Sequence, residues 1–228
     1  MVLKYYYDLM SQPARAVYLF LKATGIQFQD APVALRKGEH LTPEYKKINP
    51  FQRVPVIDDD GFLLTESVAI LRYLIEKHKV DDHWYPRDLK QRARIDEYIE
   101  WQHANTRFYG AMYFQTRVII PRATGQPVNE GKAERFRGDL DTVLDHIENV
   151  FLKDTKFIRS NDDISIADLL AVCELWQPIA GGYDFRKNRP ILRAYMERVR
   201  ERMQPHFDST FKFIYKVYEM NSGIQSKL

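Results

Sequence analysis

An α/β unit followed by an all-helical unit is the fold class the sequence predicts, and three observations predict it. β-prone runs crowd into the first third of the chain, at residues 3–9, 27–35, 54–57 and 62–64. Helix patterns with dense apolar positions separate and follow them, at residues 13–23 and 66–79. From Asp88 onward no convincing strand run appears, and apolar residues recur at helical spacing. The expected division is therefore residues 1–80 as the α/β domain, 81–87 as a polar and aromatic linker, and 88–228 as the all-helical domain.

The elements justify themselves in order. Residues 3–9 are rich in Tyr and Leu and form the first strand; Met10, Ser11 and Gln12 turn the chain, and Pro13 opens a helix where its missing N–H costs nothing. Gly25 ends that helix and the second strand follows at the spacing a parallel pair requires. Val54, Val56 and Ile57 pair with Phe62, Leu63 and Leu64 across Asp58-Asp59-Asp60-Gly61, a hairpin turn. Three aspartates beside glycine are not a calcium loop, which needs alternate acidic positions and a distal glutamate. Pro55 interrupts an apolar strand run, which marks an edge or special bend. The order βαβ then ββα is thioredoxin-like, without the cysteines that such folds use for redox chemistry.

Thr65-Glu66-Ser67 opens the helix of residues 66–79. Unpaired backbone donors and a partial positive charge at a helix start suit a ligand carboxylate, and the Glu66 carboxylate suits a ligand ammonium. Together they match the two charged groups of an α-amino acid. The same residues also suit a plain helix cap.

The helical half is expected to hold one long helix over residues 88–119 ended by Pro121, then a loop to Pro127 and a helix over 130–151. Ser165 and Asp168 form a capping pair, with Ile164 and Leu169 as the hydrophobic staple of the next helix. Helices at 190–203 and 207–220 follow, with a loose tail from Asn221. Phe108, Tyr113 and Phe114 are expected in the core, and Met112 at the border of core and pocket.

Composition narrows the function. With 34 basic and 31 acidic residues spread evenly, no basic face favours nucleic acid. Lys4, Asp8 and Arg15 come too early for a signal peptide, and no apolar run reaches the roughly 18 residues of a membrane span, so a cytoplasmic protein is expected. Cys173 is the lone cysteine and sits among apolar residues, which excludes an internal disulfide and thiolate zinc clusters and points to a buried thiol.

These fragments, in this order, resemble the cytosolic glutathione transferases, the theta class in particular. Asp8-Leu9-Met10-Ser11-Gln12-Pro13 with Arg15-Ala16-Val17 is similar to the theta serine motif; Asn49-Pro50 through Arg53-Val54-Pro55 to the glutathione-backbone loop; Thr65 through Ile70 to the γ-glutamyl site. Trp84-Tyr85-Pro86, Trp101-Gln102-His103 and the Ser165 to Asp168 segment extend the resemblance over nearly the whole chain.

The resemblance implies a glutathione transferase fold, glutathione as co-substrate, no metal, a homodimer and small electrophiles such as alkyl halides and epoxides, with organic hydroperoxides as a side activity. It implies that Ser11 donates to the glutathione sulfur, that Glu66 and Ser67 hold the γ-glutamyl group, and that Val54, before a cis Pro55, pairs with the cysteinyl backbone. His40 and Arg53 would face the glycyl carboxylate, and Gln12 and Arg107 would line the same site. Met112 and Phe211, the latter as a lid residue, are the candidates for the electrophile pocket. Arg53 departs from the lysine common in the family, keeping the charge with a different geometry, and the end at Leu228 is short for a theta cap, which leaves access to the pocket an open question. The alternative is a glutathione-fold binding module with little turnover.

The physics of a hydroxyl donor is sufficient. A free thiol of pKa about 8.5 is only ~3% ionised at pH 7, and lowering that by ~2 units, near 2.7 kcal/mol, makes thiolate the major form. One hydrogen bond to a charged acceptor supplies ~1.5–3 kcal/mol and a helix N-terminus ~0.3–1. Ser11 lacks the Gly-x-Ser-x-Gly elbow of a nucleophilic serine.

Overall fold

The computed structural model describes residues 2–222. Strands β1 (Leu3–Tyr7), β2 (Phe28–Pro32), β3 (Val56–Asp59) and β4 (Phe62–Thr65) form one mixed sheet in the order β2-β1-β3-β4. β1 and β2 are parallel, with Leu3 opposite Phe28, and are joined by the crossover helix α1 (Gln12–Thr24). β3 runs antiparallel to both β1 and β4, placing Val56 opposite Tyr6 on one side and Thr65 on the other. The hairpin turn places Asp60 and Gly61 at φ 57° and 87°, and the Asp58 carboxylate accepts the Gly61 N–H at 2.8 Å. The aspartates are thus turn chemistry. Helices α2 (Pro43–Ile48) and α3 (Ser67–His78) complete a thioredoxin-like unit.

The second strand is shorter than the sequence suggests. Beyond Pro32, which has no N–H to give a ladder, the chain leaves the sheet and coils into two short 3-10 turns at Leu35–Lys37 and Glu39–Leu41. Trp84, 4% exposed, packs edge-on against Phe20 of α1 with ring centroids 5.3 Å apart, so the linker is anchored to the first helix.

The expected single helix over 88–119 is two. α4 (Leu89–Gln102) stops, and α5 (Thr106–Phe114) begins after Asn105, whose side-chain amide donates to the Trp101 carbonyl at 2.8 Å. A side chain that takes a helix carbonyl competes with the next helical turn. α5 continues through a π-helical turn, Gln115–Ile119, into α6 (Ile120–Thr124). Pro121 therefore lies in the first turn of α6 instead of ending a helix, and Gly125, at φ 69°, is the terminator.

α7 (Glu130–His146), α8 (Ile166–Ala180), α9 (Pro190–Arg202) and α10 (His206–Ser222) make up the rest. Every residue of α8 is buried, as an all-round apolar helix requires, and α1, α4, α5 and α10 pack around it. Its start carries the expected capping box. The Asp168 carboxylate accepts from the Ser165 N–H at 2.8 Å, and also holds the Ile158 N–H at 2.8 Å and the Tyr195 hydroxyl at 2.9 Å.

Two expectations at the surface are corrected. Asn221 is not loose: it lies in α10 and its amide donates to the Ala180 carbonyl at 2.7 Å. Ser222 is likewise in α10, and the remainder of that tail, residues 223–228, lies outside the described residues. Phe108 is 47% exposed, while Tyr113 and Phe114 are in the core. Phe108 packs instead at the surface, its ring edge-on to Phe136 of α7.

Candidate functional site

Three chain segments come together at one end of the sheet: the exit of β1, the entry to β3 and the exit of β4. Strand register puts them there, because Tyr6, Val56 and Thr65 lie side by side across the three strands.

The first segment carries Ser11. Asp8 shapes it: one carboxylate oxygen accepts the Met10 N–H at 2.8 Å, the other accepts the Leu35 N–H at 3.0 Å, and the Ser11 N–H donates to the Asp8 carbonyl at 2.9 Å. Ser11 occupies the N-cap of α1 at φ −78° and ψ 124°, yet its hydroxyl accepts no cap hydrogen bond. Gln12 follows as the first residue of α1, and both side chains are half-buried. A helix start with an unengaged hydroxyl and free backbone donors is suited to an anion.

The second segment is the loop before β3. The Asn49 amide donates to the Arg53 carbonyl at 2.7 Å while its oxygen accepts from the Phe51 N–H at 2.9 Å, and the Tyr45 hydroxyl donates to the same Arg53 carbonyl at 2.8 Å. With Arg53 gripped from behind, its side chain stays exposed. Val54, in contrast, is buried, its peptide bond to Pro55 is cis, and its N–H and C=O enter neither the sheet ladder nor a turn among the described residues. Unpaired backbone groups at a sheet margin are what an extended peptide ligand pairs with. Ala14 of α1 and Val54 share one apolar cluster, which fixes the loop against the head of α1. His40 sits across this loop, where the Gln52 amide donates to its carbonyl at 3.3 Å.

The third segment is the head of α3. Glu66 is exposed and held at φ 65° and ψ 114°, a region that L side chains rarely adopt. Strain of this kind costs of order 1–3 kcal/mol and concentrates at ligand clamps. Ser67 begins α3, only 3% exposed, and this helix too lacks a side-chain cap. Thr65 does not cap it; it ends β4.

The helical unit supplies a fourth edge. Arg107 stands in the first turn of α5, with Nη1 3.5 Å from His103 Nδ1. Burial and the Arg107 charge hold the His103 imidazole below its usual pKa, with Glu100 and Glu66 acting the other way. Met112, one turn and a half along α5, is half-buried.

Phe211 does not stand at the cleft. It is fully buried in α10, stacked on Phe207 at 4.0 Å between ring centroids, so the expected lid residue is a core residue. Its aromatic spacing on α10 signals a packed face as readily as a pocket wall. Cys173 is buried as expected, and desolvation pushes its thiol up to about 12, against the pull of Arg15. Sequence reasoning missed Asp8, Asn49 and Tyr45 as shapers of the loops. The Asp–x–x–Ser spacing ahead of Pro13 was the available sign for the first. It also missed the tie between Arg15 and Gln177, which no local pattern announces.

Residues 1–76 match the family description "Glutathione S-transferase, N-terminal domain". The chain is 44% identical over 199 residues to glutathione S-transferase theta-1 of Bos taurus, covering 87% of this chain and 82% of that one, and 42% identical over the same span to theta-1 of Homo sapiens. Human glutathione S-transferase T1-1 in its apo form superposes with a TM-score of 0.91 at 39% identity, covering 95% of this chain and 91% of that one. Human theta-2, solved in complex with glutathione and an unknown ligand, gives a TM-score of 0.91 at 37% identity over 97% of this chain and 90% of that one. Sequence and fold agree over most of the length: the chain belongs to the glutathione transferase family, theta class.

Proposed function

We propose that the protein joins reduced glutathione to small electrophiles, with Ser11 donating a hydrogen bond to the attacking thiolate. The observation that carries this reading is the hydroxyl at the head of α1 that caps nothing. Residues 1–80 form the glutathione-binding domain, and residues 88–228, after a linker at 81–87, supply the electrophile side. Glu66 takes the γ-glutamyl ammonium, Ser67 and the backbone donors at the head of α3 take its carboxylate, and the free N–H and C=O of Val54 pair with the cysteinyl residue. Arg53 and His40 serve the glycyl carboxylate, Gln12 lines the sulfur site, and Arg107 closes the site from α5.

In the reaction the thiol proton leaves to solvent, sulfur forms a bond to carbon, and the carbon–halide or carbon–oxygen bond breaks with its electron pair going to the leaving group. Alkyl halides and epoxides are the substrate classes; with hydroperoxides, two glutathiones give the disulfide, an alcohol and water. Met112 borders the electrophile pocket. The protein acts as a cytoplasmic homodimer, and no metal enters the scheme.

The test is an ultraviolet titration of enzyme-bound glutathione. Wild-type protein should show thiolate absorbance near neutral pH, and Ser11→Ala should move its appearance ~2 pH units higher. Conjugation at full rate by Ser11→Ala would remove Ser11 from the mechanism.

A further inference from the structure

Arg15 is fully buried, and among the described residues no carboxylate pairs with its guanidinium. Its guanidinium spends its hydrogen bonds on oxygens of two distant segments. Nη1 donates to the carbonyls of Leu9 and Met10 at 2.8 and 3.1 Å; Nη2 donates to the Cys173 carbonyl at 2.8 Å and to Gln177 Oε1 at 2.7 Å. The Gln177 amide returns to the Met10 carbonyl at 3.3 Å, so Arg15, Gln177 and Met10 close a ring. The Phe211 ring covers the guanidinium at 5.4 Å.

A charge taken out of water is costly unless every donor finds a partner, and Arg15 Nε, also buried, has none among the described residues. A core strut between two helices would be cheaper as an apolar contact, so the retained charge points to a role beyond packing. Two of the three carbonyls it grips belong to the residues immediately before Ser11. The Ser11 carbonyl in turn accepts the Arg15 N–H at 2.9 Å. Residues 9 to 11 are thereby held by their carbonyls, and the hydroxyl of Ser11 is left without a cap bond.

We propose that Arg15, seated on Gln177 of α8, is the positioning residue of the sulfur site: it fixes the Leu9–Met10 turn and so aims the Ser11 hydroxyl at the glutathione sulfur. The assignment rests on the role given to Ser11 above. Gln177 thus bears on thiol activation from α8, through Arg15 and the turn before Ser11. The ionisable groups facing the guanidinium are Asp8, on the loop after β1, and Cys173, on α8. Burial keeps the Cys173 thiol neutral over the working range, which leaves Asp8 as the neighbouring charge; α10 presents the neutral Phe211 ring.

The experiment compares the pH dependence of kcat/KM, and KM for glutathione, in wild type, Gln177→Met, Arg15→Lys and Ser11→Ala, with thermal unfolding of each. Gln177→Met keeps side-chain volume but opens the ring. Its kcat/KM at neutral pH should fall about 10- to 100-fold, as a small misplacement of a catalytic group costs. Its profile should move to higher pH, so that the loss shrinks in alkali, while KM for glutathione stays within about threefold. Arg15→Lys keeps the charge without the fork and should shift the profile the same way; if it fails to fold, Gln177→Met decides. A folded Gln177→Met with a lower melting temperature and an unmoved profile overturns the proposal, leaving Arg15 a structural tie. An unmoved profile in Ser11→Ala instead brings down the reading of Ser11, and this proposal with it; a shift in Ser11→Ala alone brings down only the role of Arg15.

Discussion

Among the described residues five α-helices, α1, α2, α3, α4 and α8, begin with a hydroxyl or a carboxylate at the cap, and they use it in opposite ways. At α8 the capping box is closed: Ser165 and Asp168 bond each other's backbone, and Asp168 further holds Ile158 and Tyr195. At α1 and α3 the caps, Ser11 and Glu66, make no side-chain cap bond, and Glu66 also bears a positive φ. Similar side chains at equivalent helix positions are thus structural where they are buried and satisfied, and available to a ligand where the fold leaves them open. The closed end stabilises; the open ends leave their donors unengaged, as the proposed glutathione site requires.

The largest test of this contrast is Asp168→Ala. Three buried donors lose their acceptor at once, so unfolding in urea should show a loss of ~3–5 kcal/mol, with activity per folded molecule retained. A loss below ~1 kcal/mol would deny the closed end its role.

The same residue gives a pH signature. Burial pushes the Asp168 carboxyl up to about 6, with donors from Ile158, Ser165 and Tyr195 opposing it. Between about pH 4 and 6 the native state therefore holds a proton that the unfolded chain has released. This contribution is fully present below about pH 4, declines as pH rises to about 6, and amounts to at most ~3 kcal/mol. Stability of wild type relative to Asp168→Asn, followed by denaturation from pH 4 to 7, should fall across that window and then level off.

At the open end the expectations reverse. Ser11→Ala should leave stability within ~0.5 kcal/mol, where an ordinary cap deletion costs ~1, because no cap bond is lost. Its kcat/KM should fall by the ~1.5–3 kcal/mol of a charge-assisted hydrogen bond, roughly 10- to 150-fold. The smallest effect is at Glu66→Gly: glycine accepts the positive φ, so calorimetry should show unchanged or slightly higher stability, up to ~1 kcal/mol, while calorimetric titration shows weaker glutathione binding.

Much of this contrast is legible in the sequence. Turn residues, strand runs and Pro13 place Ser11 at a helix start, and the Ser165–Asp168 spacing announces a closed cap. What sequence cannot carry is tertiary. The apolar pattern runs unbroken through residues 98–114, so the break at Asn105, set by one side-chain bond to Trp101, is invisible to periodicity. Phe211, expected as a lid residue on the last helix, has the burial of a core residue, because α10 packs against the fully buried α8. The backbone of Glu66 and the link from Arg15 to Gln177, 162 residues away, depend on where distant segments meet.

The most direct measurement is a crystal structure of the complex with reduced glutathione. The sulfur should lie within hydrogen-bond distance of the Ser11 hydroxyl, with the cysteinyl backbone paired to Val54 and the glutamyl end at Glu66 and Ser67. A sulfur turned away from Ser11, or a tripeptide seated elsewhere, would contradict the account.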